Sequence, residues 1–140
     1  MHNKVILTST DTTIGFISQS TKALDRAKNR IKGKKYITAL PYLKSIQKRV
    51  PKSHKNFVRR AKKSTFILSK DYSFRVIKDN KHQKLIKKLG WAYTTSANKS
   101  GKNFNLSYAI SKADIVIFPL TNSTPSTIYK LYKNKKIKIR

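Results

Sequence analysis

The chain is 140 residues long and carries 33 Lys and Arg against 5 acidic residues, all Asp, for a net charge of +28; this makes polyanions (nucleic acid, a nucleoside triphosphate, an anionic membrane face) its natural partners, unless the lysines simply solvate the surface. Hydrophobic residues make up 38% and are spread along the whole length, which excludes a disordered polycation and predicts one folded domain over 1–140. The absence of cysteine excludes disulfides, thiolate nucleophiles and Cys-based metal sites, and fits a reducing compartment.

From the amino terminus, "MHNKVILTST" offers three consecutive apolar residues, too few for a signal-peptide core, and predicts a strand at Val5–Leu7. A loop of small polar residues follows, then a second short apolar strand, Ile14–Ile17, containing Gly15. Ala23, Leu24, Ala27 and Ile31 recur at helical spacing, predicting a helix over Thr21–Lys32 with Ser20 or Thr21 as cap and Gly33 as stop. "YITALPYL" predicts a strand ending near Pro41, "PYLKSIQKRV" a short helix, and "PKSHKNFVRRAKK" a basic helix whose thin apolar side is Phe57, Val58 and Ala61.

"STFILS" and "YSFRVI", separated by "KD", predict two antiparallel or consecutive strands. "KHQKLIKKLG" predicts an amphipathic helix with Leu85, Ile86 and Leu89 inward and Gly90 as stop. "WAYTT" is the next strand and delivers "SANKSG" at its carboxyl end. "LSYAISKA" predicts a helix, "DIVIF" a buried strand, "PLTNSTPSTIYKLY" a turn-rich segment with a short helix, and "KKIKIR" a last strand. Even the longest apolar run, "IVIFPL", falls far short of the roughly 18 residues that span a bilayer, so a soluble cytoplasmic protein is expected. Strands and helices intermix without a strict βαβ rhythm, which predicts an α+β fold: a twisted mixed sheet flanked by helices.

Hydrolytic chemistry finds little support. His2, His54 and His82 stand in lysine-rich polar surroundings, and the five aspartates never form a close pair, so neither a metal cage nor a carboxylate dyad nor a serine triad is nominated. Phosphate chemistry asks for less, because positioning and positive charge do most of the work. "KNRIKGK" supplies Lys28, Arg30 and Lys34 at a helix end, a point charge beside a planar fork suited to phosphates; the bland reading is a charge run that complements the helix dipole. "YTTSANKSG" places Ser96, Asn98 and Ser100 after a strand, with Gly101 permitting close backbone approach. "STDTTIG" and "NSTPST" repeat this hydroxyl-rich character at two further strand ends. Three such loops converging on one pocket is the expectation, against the reading that each is an ordinary turn.

Taken in order, these pieces resemble the YrdC-like family of threonylcarbamoyl-AMP synthases. That family shows a strand entering a "PT-[DE]-T-x-YGL" loop, a "K-x-R-P-x-x-K" segment, a "GPxTxIL" strand, an "AVR-x-P" strand and "TSAN-x-SG". The counterparts here are "STDTTIGFI", "KNRIKGK", "KKSTFIL", "SFRVI" and "TTSANKSG", followed by "PSTI" and a terminal "IKIR". The departures are Ile31 for the proline after the arginine, Ile14 for the loop tyrosine, Lys62 and Lys63 near the "GP", and Ile77 for the later proline.

The resemblance implies a YrdC-like fold and a reaction in which ATP, L-threonine and bicarbonate give threonylcarbamoyl-adenylate and pyrophosphate for tRNA modification, passed to other tRNA-modification proteins. By matching positions it implies a ligand-binding tetrad of Lys28, Arg30, Ser96 and Asn98, with Lys34 adding phosphate charge. It places Thr10 and Thr12 by the threonine, with Arg75, Ser126 and Arg140 as looser counterparts, Arg75 on the threonine side and Ser126 and Arg140 with the ATP phosphates. Mg²⁺ is expected to travel with the ATP, with no protein-bound metal and no membrane contact. The alternative is a non-catalytic module binding double-stranded RNA or tRNA; "KRVPKSHKNFVRRAKK" lacks interleaved aromatics and points to backbone contacts. A third reading is a relative that handles another carbamoyl-adenylate, as carbamoyltransferase maturation factors do.

Overall fold

The computed structural model describes residues 3–31 and 34–140. In chain order the elements are β1 (Ile6–Ser9), β2 (Ile14–Ser18), α1 (Thr21–Lys28), β3 (Ile37–Leu40), α2 (Lys55–Arg60), β4 (Ser64–Ser69), β5 (Tyr72–Val76), α3 (Asn80–Leu89), β6 (Ala92–Ser96), α4 (Leu106–Lys112), β7 (Ile115–Val116), β8 (Thr127–Leu131) and β9 (Lys136–Lys138). The strands form one sheet in the order β7-β1-β2-β6-β3-β5-β4-β8-β9. Pairing is parallel between β1 and β7, β3 and β5, and β4 and β8, and antiparallel elsewhere, so the expected mixed α+β sheet is present.

The two faces of the sheet follow from side-chain alternation. In the β1–β2 pair, Leu7 lies opposite Phe16 and both join Ala23, Leu24 and Ala27 of α1 and Ala109 of α4. Ile6 lies opposite Ile17, and these face Ile86 of α3, with Ile77 and Ala92. Both faces are therefore covered, which is why "VIL" and "IGFI" read as unbroken apolar runs rather than alternating ones. A third cluster packs Val58 of α2 on Phe66, Phe74 and Leu131, with the Phe57 ring edge-on to Tyr129 at 4.9 Å. Burial of each such side chain contributes about 1.5–3 kcal/mol.

Capping explains the helix bounds. The Ser20 hydroxyl accepts from the Ala23 amide and the Asp79 carboxylate from the His82 amide, while Gly90 closes α3 at φ 86°. Helix α1 is shorter than its periodicity predicts, ending at Lys28. Asn29 adopts φ 50°, its amide donating to Arg26 and that of Arg30 to Asp25, a closure that satisfies the last carbonyls and turns the chain away. The expected stop at Gly33 lies outside the described residues.

Three other expectations need correction. "PYLKSIQKRV" forms only a single 3₁₀ turn, Leu43–Ser45. "DIVIF" contributes two paired residues, half-buried at the sheet edge, because Ile117 and Phe118 turn outward before Pro119, which has no amide to continue a ladder. The short helix expected in "PLTNSTPSTIYKLY" is instead strand β8: its β-branched and aromatic "TIY" pairs with β4 on one side and β9 on the other, and sheet pairing overrides the local turn signal. No helix among the described residues is long and apolar enough to cross a membrane.

Candidate functional site

The turn after β6 is built onto the end of α1. Ala97 is buried, with its amide on the Ile14 carbonyl, and the Ser100 amide donates to the Lys28 carbonyl at 3.0 Å. Lys28, only 2% exposed, donates from Nζ to the Ser96 carbonyl at 2.9 Å and to Asn98 Oδ1 at 3.0 Å. The Asn98 amide nitrogen donates to the carbonyls of Lys99 and Lys102, and the Ser96 hydroxyl donates to Asn98 Oδ1. The Ser96 and Asn98 side chains thus hold the turn in one shape around an ammonium, with Gly101 at a positive φ of 77°.

Arg30 leaves the helix end beside this turn. Its Nε lies 3.4 Å from the Ser100 hydroxyl and its guanidinium stands 5.2 Å from the Tyr36 ring centroid, a cation–π contact. The Tyr36 hydroxyl donates to Asp25 Oδ1 at 2.6 Å, and the Asp25 carbonyl accepts the Arg30 amide. Asp25 and Tyr36 therefore bracket Arg30 from both sides of its loop.

Arg30 opens onto a cleft of about 640 Å³, inside the range of small-molecule sites. Its walls come from Thr10, Thr12 and Thr13, from Arg30 and residues 34–37, from strand β6 at Thr94–Ser96, and from Ser126, Ile128 and Arg140 at the far side. Among the described residues five cations, Arg30, Lys34, Lys35, Arg75 and Arg140, line it without one acidic side chain. Gly15 belongs to the floor, where a Cβ would stand 3.1 Å from both the Thr95 carbonyl oxygen and the Thr10 methyl, so the strand crossing admits no larger residue without displacement.

Arg75 is 4% exposed and is pinned by Asp11 at 2.7 Å and by the Thr12 hydroxyl at 3.1 Å, so the loop that carries Thr10 and Thr12 is tied to the sheet through a buried ion pair. The Thr10 hydroxyl donates to the Thr13 carbonyl and accepts the Thr12 amide, giving the loop its own closed turn. At the opposite wall Arg140 donates from two nitrogens to the Ser126 carbonyl, at 3.1 and 3.0 Å, and the Ser126 hydroxyl bonds that of Thr65.

Burial and crowding shift several groups. Desolvation, with the charges of Arg30 and Lys34, pulls the Lys28 ammonium down to about 8. Burial and the hydrogen bond to Asp25 push the Tyr36 phenol up to about 12. Burial lowers the Arg75 guanidinium, against the pull of Asp11. His82, behind this pair, is 3% exposed and held down to about 4 by desolvation, with Asp11 and Asp79 opposing and Arg75 adding to the effect; its ring nitrogens and Arg75 Nε are buried without hydrogen-bond partners among the described residues.

Of the residues singled out in the sequence, Arg30, Lys34, Ser96, Thr10, Thr12, Arg75, Ser126 and Arg140 line the cleft. Lys28 and Asn98 stand behind Ser96 and shape the turn from within. The three hydroxyl-rich loops do converge. His54 and His82 are buried rather than on a solvated lysine-rich surface, because each sits near the start of a helix whose apolar side packs inward; His54 Nε2 pairs with the Tyr132 carbonyl. Asp11, Asp25, Tyr36 and Thr65 went unnoticed as members of the site. Asp11 carried a signal, an acid between two threonines in a chain with only 5 acids, whereas the Asp25–Tyr36 contact depends on how the chain turns between them.

The nine-stranded mixed sheet with its four helices matches a YrdC-like fold by superposition on solved structures. The chain superposes on P. abyssi Sua5 complexed with L-threonine with a TM-score of 0.82 at 18% identity, over 99% of this chain and 50% of that one. The MTH1692 protein from Methanobacterium thermoautotrophicum matches with a TM-score of 0.72 at 21% identity, over 99% and 80%. Full-length HypF in its phosphate- and nucleotide-bound form matches at 0.76 and 14% identity, over 99% of this chain and 27% of that one. This chain spans about half the length of the P. abyssi Sua5 structures. By sequence, no protein-family model and no curated protein matches.

Proposed function

We propose that the chain is an L-threonylcarbamoyladenylate synthase, a nucleotidyltransferase making threonylcarbamoyl-AMP for tRNA modification. The observation that carries this reading is the apposition of Lys28 and Arg30, at the end of α1, with the Ser96–Ser100 turn beside a cleft lined, among the described residues, by five cations and no acid. Arg30, Lys34 and Arg140 bind the triphosphate, with the Ser126 hydroxyl, while Lys28 and Asn98 fix the turn that presents Ser96. Thr10, Thr12 and Arg75 form the threonine end. Sua5 of P. abyssi, with the same fold, has been captured with L-threonine, and HypF with phosphate and nucleotide.

Threonine and bicarbonate combine with loss of water to give the N-carboxylate, whose oxygen attacks the α-phosphorus. The bond to the β-phosphate oxygen breaks and pyrophosphate leaves, its charge met by cations already in place. Mg²⁺ accompanies the ATP phosphates: the cleft wall offers cations and hydroxyls but no carboxylate, so these residues suit phosphate oxygens, not a directly held metal. A cytoplasmic location, where ATP and tRNA are at hand, accompanies this reading.

Incubating the protein with ATP and every subset of threonine and bicarbonate tests it. Pyrophosphate release that requires both supports the reading; release independent of threonine overturns it. The second reading, a non-catalytic RNA-binding module, draws on the exposed cations Lys52, Arg59, Arg60, Lys62 and Lys63 on and around α2. It predicts RNA affinity that falls steeply with salt, and a flat salt dependence counts against it.

A further inference from the structure

Two stretches of the chain contain no acidic residue, 26–70 and 115–140, and the fold sets one against the other. Strand β8 pairs with β4, and the tip of the β8–β9 hairpin is tied to the segment that leads into α2. The Ser53 hydroxyl donates to the Lys133 carbonyl at 2.8 Å, and His54 Nε2 pairs with the Tyr132 carbonyl at 2.6 Å. The Tyr132 amide donates to the Lys135 carbonyl at 2.8 Å and closes the hairpin. All these ties use main-chain groups of the hairpin, which leaves the Tyr132 side chain 38% exposed. Its ring centroid lies 5.4 Å from Lys130 Nζ and 5.2 Å from Lys135 Nζ, and Lys136 Nζ stands 4.7 Å from the ring centroid of Phe57 in α2. Rings and ammonium groups thus alternate on this face. The sequence around α2 shows no such interleaving, because Tyr132 arrives from the far end of the chain. Tyr132 and its lysines are not among the residues that line the Arg30 cleft.

We propose that the tip of the β8–β9 hairpin binds single-stranded nucleic acid, with an unpaired base stacked on Tyr132 and the neighbouring phosphates met by Lys130, Lys133 and Lys135. An exposed aromatic set among cations is the arrangement that takes a base and its backbone together. The contact of an ammonium with an exposed ring is weak, so a base displaces it, and the freed ammonium is then within reach of the phosphate beside that base. A duplex keeps its bases paired and offers the ring nothing to stack on. An acidic peptide would engage the lysines and leave the ring idle, and a membrane surface would need further apolar side chains at the tip, where Tyr132 is followed by Lys133, Asn134 and Lys135. The proposal extends the RNA reading above, which draws on backbone contacts around α2, to unpaired bases, and it stands whether or not the chain is a synthase.

The test measures fluorescence anisotropy of oligouridine, oligothymidine and duplex RNA, each of about 12 nucleotides per strand, against the full chain. Single strands of at least one sugar should bind, about tenfold more weakly to Tyr132→Ser and nearly as well to Tyr132→Phe, while duplex affinity is unmoved by either change. Replacing Lys130 and Lys135 together with Gln should lower the salt slope for single strands by about 1.4, two phosphate contacts at about 0.7 each, and the same change at exposed Lys4 and Lys22, on the β1 side of the sheet, should not. Thermal melts matching the wild type confirm folding, and Tyr132→Leu replaces Tyr132→Ser if they do not match. No binding of either single strand, wild-type affinity in Tyr132→Ser, or an equal slope change in the two lysine pairs overturns the proposal. Duplex binding with a steep salt dependence and no response to Tyr132→Ser also overturns it, and leaves the backbone RNA reading standing. Binding of a glutamate-rich peptide or of anionic vesicles that Tyr132→Ser weakens, with oligonucleotide binding unchanged, overturns it by assigning the face to an acidic protein or to a membrane.

Discussion

Replacing Lys28 with methionine keeps the buried stem and deletes the ammonium that ties the α1 end to the Ser96–Ser100 turn. Two short hydrogen bonds disappear, to the Ser96 carbonyl at 2.9 Å and Asn98 Oδ1 at 3.0 Å. Bonds from a charged donor are worth about 1.5–3 kcal/mol each, so the loss is about 3–6 kcal/mol. Against it stands relief of burying the amine: lowering its pKa from 10.5 to about 8 corresponds to at most about 3 kcal/mol, less after solvent screening. The net cost to folding is then modest, about 1–4 kcal/mol, while the turn loses its shape. Urea denaturation of Lys28→Met should show that small loss with an unchanged slope, and ATP titration should show affinity down by about 100-fold, the scale of a misplaced ligand-binding turn. Because the folded amine releases its proton first, wild-type stability relative to Lys28→Met should rise as pH climbs from 8 towards 10.5, the unfolded chain holding more protons there. Unchanged nucleotide affinity in a folded Lys28→Met protein, or a stability difference that is flat across that window, would refute the reasoning.

His82 binds its proton more weakly in the folded chain, at about 4, so stability should fall as pH drops from 6.5 towards 4, by up to about 3 kcal/mol; His82→Phe should flatten that limb, and an identical acid limb contradicts the assignment. Arg75→Ala leaves Asp11 buried without its ion-pair partner and should cost about 3–5 kcal/mol in chemical denaturation, with Arg75→Lys recovering only part; a loss under about 1 kcal/mol, the scale of an exposed surface pair, counts against the pair as the loop's tether. Tyr36→Phe removes the 2.6 Å bond to Asp25 at about 1 kcal/mol and should leave ATP binding within a few fold, whereas Tyr36→Ala, which also removes the ring beside Arg30, should raise KM for ATP more than it lowers kcat; equal effects of the two variants remove the ring from the account.

What the sequence disclosed, and what it hid, divides by the range of the interactions. Helix α3 was readable end to end because its apolar spacing and Gly90 are local, and "STFILS" with "YSFRVI" formed the antiparallel pair their composition suggested. Strand β8 was not, since its stability comes from β4, which lies some 60 positions earlier in pairs such as Ser64 with Thr127. Periodicity carried α1 past Lys28 because Ile31 continues the pattern, yet Asn29 ends the helix and Ile31 is 90% exposed. At the candidate site the convergence of the hydroxyl-rich loops was legible through motif order. The depth of Lys28, the Asp11–Arg75 pair and the Asp25–Tyr36 bracket were not, because each depends on which side chains the sheet brings together across long separations.

The claim that the Arg30 cleft joins threonine, bicarbonate and ATP is tested most directly by mass spectrometry of the adenylate formed from isotopically labelled bicarbonate. The account predicts a threonylcarbamoyl-AMP that carries the label in its carbamoyl carbon, appears only when all three substrates are present, and disappears in Arg30→Ala. Unlabelled adenylate, or labelled product undiminished by Arg30→Ala, would contradict it.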